Sequence, residues 1–164
     1  METTLEAAGD THTAGVKARP PKLFGGALLA GLVLDYLLPL PVAFPVGFEA
    51  RWTVGGALSL IGVTVFLAAV RNFSRVGTPV PTSQPTRARA TDGIHGWSRN
   101  PIYLGLFLTY GGIATAVQSA WMLVLLLPIA FIMRYGVVAR EEAYLERRFG
   151  DAYRDCKRRV RRWV

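Results

Sequence analysis

Long runs without charge leave this chain few ways to fold. Leu23 to Leu40 carries a single charge, Asp35, while Trp52 to Val70 and Pro101 to Met133 carry none. At about 1.5 Å rise per residue, a helix over either of the first two runs is about 27–29 Å long, close to the ~30 Å hydrocarbon core of a bilayer. The third run is nearly twice as long and holds Gln118 and Ser119 in its middle, so it reads as two helices joined by a tight turn. The expectation is an all-α integral membrane protein with four transmembrane helices. The polar stretch before the first run is long, and no small-x-small cleavage site follows the run. That helix is therefore expected to stay in the mature protein rather than act as a signal peptide.

Basic residues orient the expected bundle. Of 19 Lys and Arg residues, only Arg51 falls between the first and second helices. The rest lie in the N-terminal segment, in the stretch from Arg71 to Arg99, or from Arg134 onward. By the positive-inside rule both termini and the Arg71–Arg99 loop face the cytoplasm, which places the protein in the cytoplasmic membrane. The net charge of +8 then reflects topology and attraction to anionic lipid head groups. No recognition fold accompanies it, so nucleic acid is not an expected partner. The single Cys156 excludes an internal disulfide, and two isolated histidines without carboxylate–histidine spacing offer no metal site.

Residues 1–20 are polar and read as a disordered tail, and residues 21–164 as one domain. Pro39 and Pro41 close the first helix, and Phe44, Phe48 and Trp52 suit the membrane interface. Gly55, Ser59 and Gly62 share one helical face, as do Gly26 with Ala30 and Ala27 with Gly31. Such spacing lets membrane helices approach closely, or simply reflects how common glycine is in them. The stretch Asn72–Ser98, with Thr78-Pro79-Val80-Pro81, Pro85 and Asp92-Gly93, is long for a loop in so small a domain, which favours a functional role. Pro101 suits the first position of the third helix, with Asn100 or Ser98 as cap, and the free N–H groups there can receive a carboxylate. Pro128 predicts a kink in the fourth helix. From Ala139, Leu145, Phe149, Ala152, Tyr153, Cys156, Val160 and Trp163 recur every three or four residues opposite a basic face. This is the pattern of a C-terminal amphipathic helix lying in the interface, with Gly150 able to divide it.

Two polar stretches flank the last apolar hairpin: Ser98 to Gly105, and Arg140 to Gly150. Ionisable groups at such positions are costly and call for a reason. Glu141 and Glu142 point about 100° apart on a helix, so only one of them can face a shared pocket comfortably. A solvated helix start and a structural ion pair with Arg99 or Arg134 are the alternatives. His95 fits either a pocket or a plain loop, and Asp35 either a helix end or a pocket wall.

The residue order adds a resemblance. Gly93-Ile94-His95-Gly96-Trp97-Ser98-Arg99-Asn100-Pro101-Ile102-Tyr103-Leu104-Gly105 resembles the Gly-x-Tyr-x-x-x-Arg-His/Asn-Pro-x-Tyr-x-Gly motif of integral-membrane methyltransferases. That family includes isoprenylcysteine carboxyl methyltransferases and phospholipid N-methyltransferases. Glu141-Glu142-x-x-Leu145, followed by Phe149-Gly150-x-x-Tyr153, is similar to their second signature, and Thr78 to Pro81 to a Thr-x-x-Pro element. The resemblance spans about Gly77 to Val164. It implies an S-adenosylmethionine site lined by the Arg87–Ala90 stretch, Gly93, His95, Asn100, Pro101, Tyr103 and Glu141. Arg99 and Glu142 are the candidate catalytic residues beside it.

Three positions depart from the pattern. His95 stands where the family has tyrosine, Asn100 where many members have histidine, and Val137 where the isoprenylcysteine enzymes have an arginine. The last change argues against a prenylcysteine substrate. The function expected from the resemblance is methyl transfer to a lipid or small hydrophobic acceptor. A small transporter or assembly factor, and a nicotinamide-dependent membrane reductase, are the alternatives.

Overall fold

The computed structural model describes residues 19–40, 47–75 and 94–163. The N-terminal tail and the loop residues Thr78–Pro81, Arg87, Ala90 and Gly93 lie outside them, as does the side chain of His95. Most of the described residues are helical: α1 (Pro20–Leu37), α2 (Phe48–Arg75), the single turn α3 (Ile94–Trp97), α4 (Pro101–Val117), α5 (Ala120–Phe131), α6 (Ala139–Phe149) and α7 (Asp151–Arg159). A π-helical segment, Ile132–Val138, joins α5 to α6 without a break.

Among the described residues, two helices are long and apolar enough to cross a membrane, Phe48–Asn72 and Ala120–Phe149. Of the four expected spans these are the two that length and composition bear out; α4 has 17 residues and α1 has 18, including Lys22 and Asp35. Their outer faces carry a belt of exposed apolar side chains, including Leu60 and Ile61 on α2 and Val124, Leu127 and Phe131 on α5. Apolar surface on that scale needs a non-aqueous partner, which a bilayer supplies.

The closest packing in the bundle is between α2 and α4, and small residues make it possible. Gly55, Ser59 and Gly62 meet Gly105, Thr109, Gly112 and Ala116, and a Cβ added at Gly62 would lie 2.5 Å from the Thr109 nitrogen. The helical spacing seen in the sequence therefore marks a contact face in α2. In α1 the Ala27–Gly31 pair does so, with Gly31 against Met122 and Ala27 packed on the core, whereas Gly26 has open space beside it. Gly62→Ala should force the two backbones apart and lower stability by about 1–3 kcal/mol. Thermal unfolding in detergent checks this, with Gly26→Ala as the neutral comparison.

The expected hairpin turn is present. Gln118 takes the left-handed conformation (φ 56°) and ends α4, while the Ser119 side chain caps α5 by accepting from the Met122 N–H at 3.0 Å. At the same end Arg51 donates to Gln118 Oε1 at 2.7 Å, and the Trp121 indole donates to the Leu38 carbonyl at 2.7 Å. These bonds tie α2 and α1 to the hairpin.

The sequence predicts a kink at Pro128, and four residues beyond it the helix widens into the π-helical segment, where the Ala139 N–H reaches back to the Arg134 carbonyl. Met133, Val137 and Val138 are all fully buried there. The consecutive valines both face inward because the wider turn alters the register. Gly150 separates α6 from α7 with φ 52° and ψ −126°, a conformation that favours glycine.

Candidate active site

The two polar stretches meet at one end of the bundle. Pro101 opens α4, which puts Tyr103 in its first turn, buried and facing α6. Glu141 lies in the first turn of α6. The Tyr103 hydroxyl donates to Glu141 Oε1 at 2.6 Å, a short bond across 38 residues of sequence.

Glu142 serves a different set of partners, as the step of about 100° between neighbours requires. Arg162 grips it with a two-pronged fork, Nε to Oε1 at 2.9 Å and Nη2 to Oε2 at 2.6 Å. The Arg99 Nη2 lies 3.4 Å from the same Oε1, and the side chains of Arg99 and Glu142 are each 10% exposed. Tyr153 of α7 closes this cluster. Burial, then the Glu142 charge, pushes its hydroxyl up to about 12, and Arg99 opposes the shift through its charge and a hydrogen bond. The Arg99 Nε and Nη1 are buried and have no hydrogen-bond partner among the described residues. Buried donors of this kind are uncommon and mark a place where an acceptor is wanted.

Asn100 occupies the N-cap position of α4, but its side chain makes no capping bond. Its Nδ2 donates instead to the Arg162 carbonyl at 3.0 Å. Ser98 Oγ accepts from the Asn100 N–H at 3.3 Å and donates to the same carbonyl at 3.4 Å. The expected capping role thus gives way to a contact with residues 161 and 162, where Ser98 also forms a parallel bridge with Arg161.

Of the residues singled out from sequence, the structure gathers Arg99, Asn100, Pro101, Tyr103, Glu141 and Glu142 into one region. It describes only the backbone of His95, in α3. Arg134 pairs with neither glutamate; its guanidinium lies over the Tyr135 ring at 5.4 Å from the centroid. It borders an apolar groove of about 570 Å³ formed by Leu104 and Phe107 of α4, Phe131 and Tyr135 beyond Pro128, and Trp163. Arg162 escaped sequence reasoning altogether. It is one of ten basic residues from Arg134 onward, and nothing in its spacing sets it apart.

The family described as phospholipid methyltransferase matches residues 50–152 of the chain. An uncharacterized protein of Haemophilus influenzae is 44% identical over 45 residues, which cover 27% of this chain and 68% of that protein. No solved structure matches the chain.

Proposed function

Because the chain belongs to the phospholipid methyltransferase family, we propose that it transfers a methyl group from S-adenosylmethionine to a lipid or small hydrophobic acceptor. The observation that carries this reading is the meeting of the Arg99–Tyr103 stretch with Glu141 and Glu142 across the hairpin, sealed by the Tyr103–Glu141 bond. The donor set fits the cofactor. Glu141 suits an ammonium or ribose hydroxyl, Tyr103 offers an aromatic face to a cationic sulfur, and the unpartnered nitrogens of Arg99 suit a carboxylate. Arg87, Ala90, Gly93, His95, Asn100 and Pro101 belong to the same proposed cofactor site by resemblance.

When bound, S-adenosylmethionine supplies a methyl group on a positively charged sulfur, ready for in-line displacement. The protein then has to position two reactants and exclude water, and no conspicuous acid–base dyad is required. Both oxygens of Glu142 are engaged by guanidinium groups, so it serves the reaction with Arg99 by holding the site in shape. The groove beside Phe107 and Trp163 suits a hydrocarbon chain of the acceptor, with Arg134 at its rim for a phosphate or carboxylate head. It lies between α4 and the α5–α6 helix. In this reading α1 and α4 also span the membrane, and both termini and the site face the cytoplasm, where S-adenosylmethionine is available. The basic face of α7 then lies on anionic lipid head groups.

Calorimetry of the detergent-purified chain with S-adenosylhomocysteine and with NADPH tests the reading. Saturable binding of S-adenosylhomocysteine and none of NADPH is the expected result. The reverse outcome would reassign the chain to nicotinamide chemistry, and binding of neither would leave it without an enzymatic cofactor.

A further inference from the structure

The segment after α7 makes more contacts with the site than its position in the sequence suggests. The Arg99 N–H donates to the Arg161 carbonyl at 3.0 Å. The Arg162 carbonyl accepts from both Asn100 Nδ2 and Ser98 Oγ, while the Arg162 side chain forks onto Glu142. The Trp163 ring then packs edge-on against Phe107, 6.1 Å between centroids, where it forms one wall of the apolar groove. Three consecutive residues therefore touch the Ser98–Asn100 stretch, the acidic pair on α6 and the proposed acceptor groove. All three lie beyond residue 152, where the family match ends.

From this geometry we propose that Arg161–Trp163 is a strap that positions the active site, with Arg162 as its anchoring residue. The inference rests on the methyl-transfer reading for what is positioned, but the strap itself stands on its contacts. Asn100 joins α4 only through its carbonyl, which accepts from the Leu104 N–H at 3.0 Å, and neither its side chain nor that of Arg99 is fixed by that helix. Arg99 precedes α4, and the Asn100 side chain makes no bond to the α4 backbone. The strap holds the Arg99 N–H and the Asn100 side-chain amide, beside the direct contact of Arg99 with Glu142, and the strap's own polar anchor is the bidentate grip of Arg162 on Glu142. A guanidinium fork fixes both distance and orientation of a carboxylate, which a single point charge does not. The same strap carries Trp163 to the groove, so one element sets the cofactor-side residues and one wall of the acceptor site in a common frame. In-line transfer is sensitive to such registration, since a misplacement of about 1 Å can cost on the order of a hundredfold.

The test uses the full chain in detergent with two readouts, S-adenosylhomocysteine calorimetry and amide hydrogen exchange over residues 98–104. Arg162→Met keeps an unbranched apolar stem and removes the fork. It should weaken S-adenosylhomocysteine binding by about ten- to a hundredfold and speed exchange at Arg99 and its neighbours. Arg162→Lys keeps the charge but cannot span both oxygens, and it should show the same changes in smaller measure. This variant carries the test if Arg162→Met does not fold. Arg158→Met removes an exposed charge paired only locally with Asp155, and should change neither readout. A folded Arg162 variant with unchanged exchange over 98–104 overturns the strap. Accelerated exchange with unchanged S-adenosylhomocysteine affinity reduces it to a structural tie and overturns its positioning role. If the unmodified chain binds no S-adenosylhomocysteine, the methyl-transfer reading falls, and exchange alone decides whether the strap orders this end of the bundle.

Discussion

Glu141→Ala should lower the affinity for S-adenosylhomocysteine by at least about tenfold while leaving a protein that still unfolds cooperatively. The magnitude follows from the loss of one hydrogen bond to a charged group, about 1.5–3 kcal/mol, which is roughly ten- to a hundredfold in binding. Folding suffers less. The buried Tyr103 hydroxyl loses its acceptor at 2.6 Å, and an unsatisfied hydroxyl costs about 1–3 kcal/mol of stability. Tyr103→Phe separates the two roles of the tyrosine. It keeps the aromatic face and removes the bond, so its effect on binding should be smaller than that of Tyr103→Ala, which removes both. Calorimetry alongside thermal unfolding distinguishes a binding defect from a folding defect. Wild-type affinity in both Glu141→Ala and Tyr103→Ala would put the cofactor elsewhere on the molecule.

The sequence made the helices and their joints legible because each joint has a local chemical cause. Pro101 starts α4, Gln118 and Ser119 make the turn, and Gly150 divides α6 from α7. The Gly55–Ser59–Gly62 face was equally readable, since close backbone approach demands small residues and leaves a periodic trace. What the local pattern could not contain was partner choice. Asn100 looks like a helix cap by position, yet a carbonyl 62 residues away takes its side-chain amide. Of the two glutamates, the sequence established only that they point apart, and the structure supplies the division: Glu141 to Tyr103, Glu142 to Arg99 and Arg162. The π-helical segment was invisible because no single residue of Ile132–Val138 signals it, and its wider turn accommodates two adjacent buried valines. Val137, noted for replacing an arginine in relatives, is one of them and is fully buried. Arg134 is instead the cation that reaches the groove beside it.

That division of labour puts the largest stability effect at Glu142. Glu142→Gln keeps the shape of the side chain and removes the charge that Arg99 and Arg162 share. Removing one partner of a buried ion pair costs about 3–5 kcal/mol because the charge left behind has no compensation. The lower end of that range applies here, since the Arg162 side chain is 28% exposed and water can screen it. Arg99 is the more vulnerable partner. Its side chain is only 10% exposed, and two of its nitrogens already lack partners among the described residues. A double-mutant cycle should therefore be asymmetric. Adding Arg162→Met to Glu142→Gln should recover little, because Arg99 remains unpaired, whereas Arg99→Met on the Glu142→Gln background should recover more, by about 1–3 kcal/mol of coupling. Denaturant or thermal unfolding of the six proteins (wild type, three single and two double variants) in the same detergent measures both couplings. A loss below about 0.5 kcal/mol for Glu142→Gln, the level of ordinary surface substitutions, would mean that the cluster is solvated and does not hold the site together.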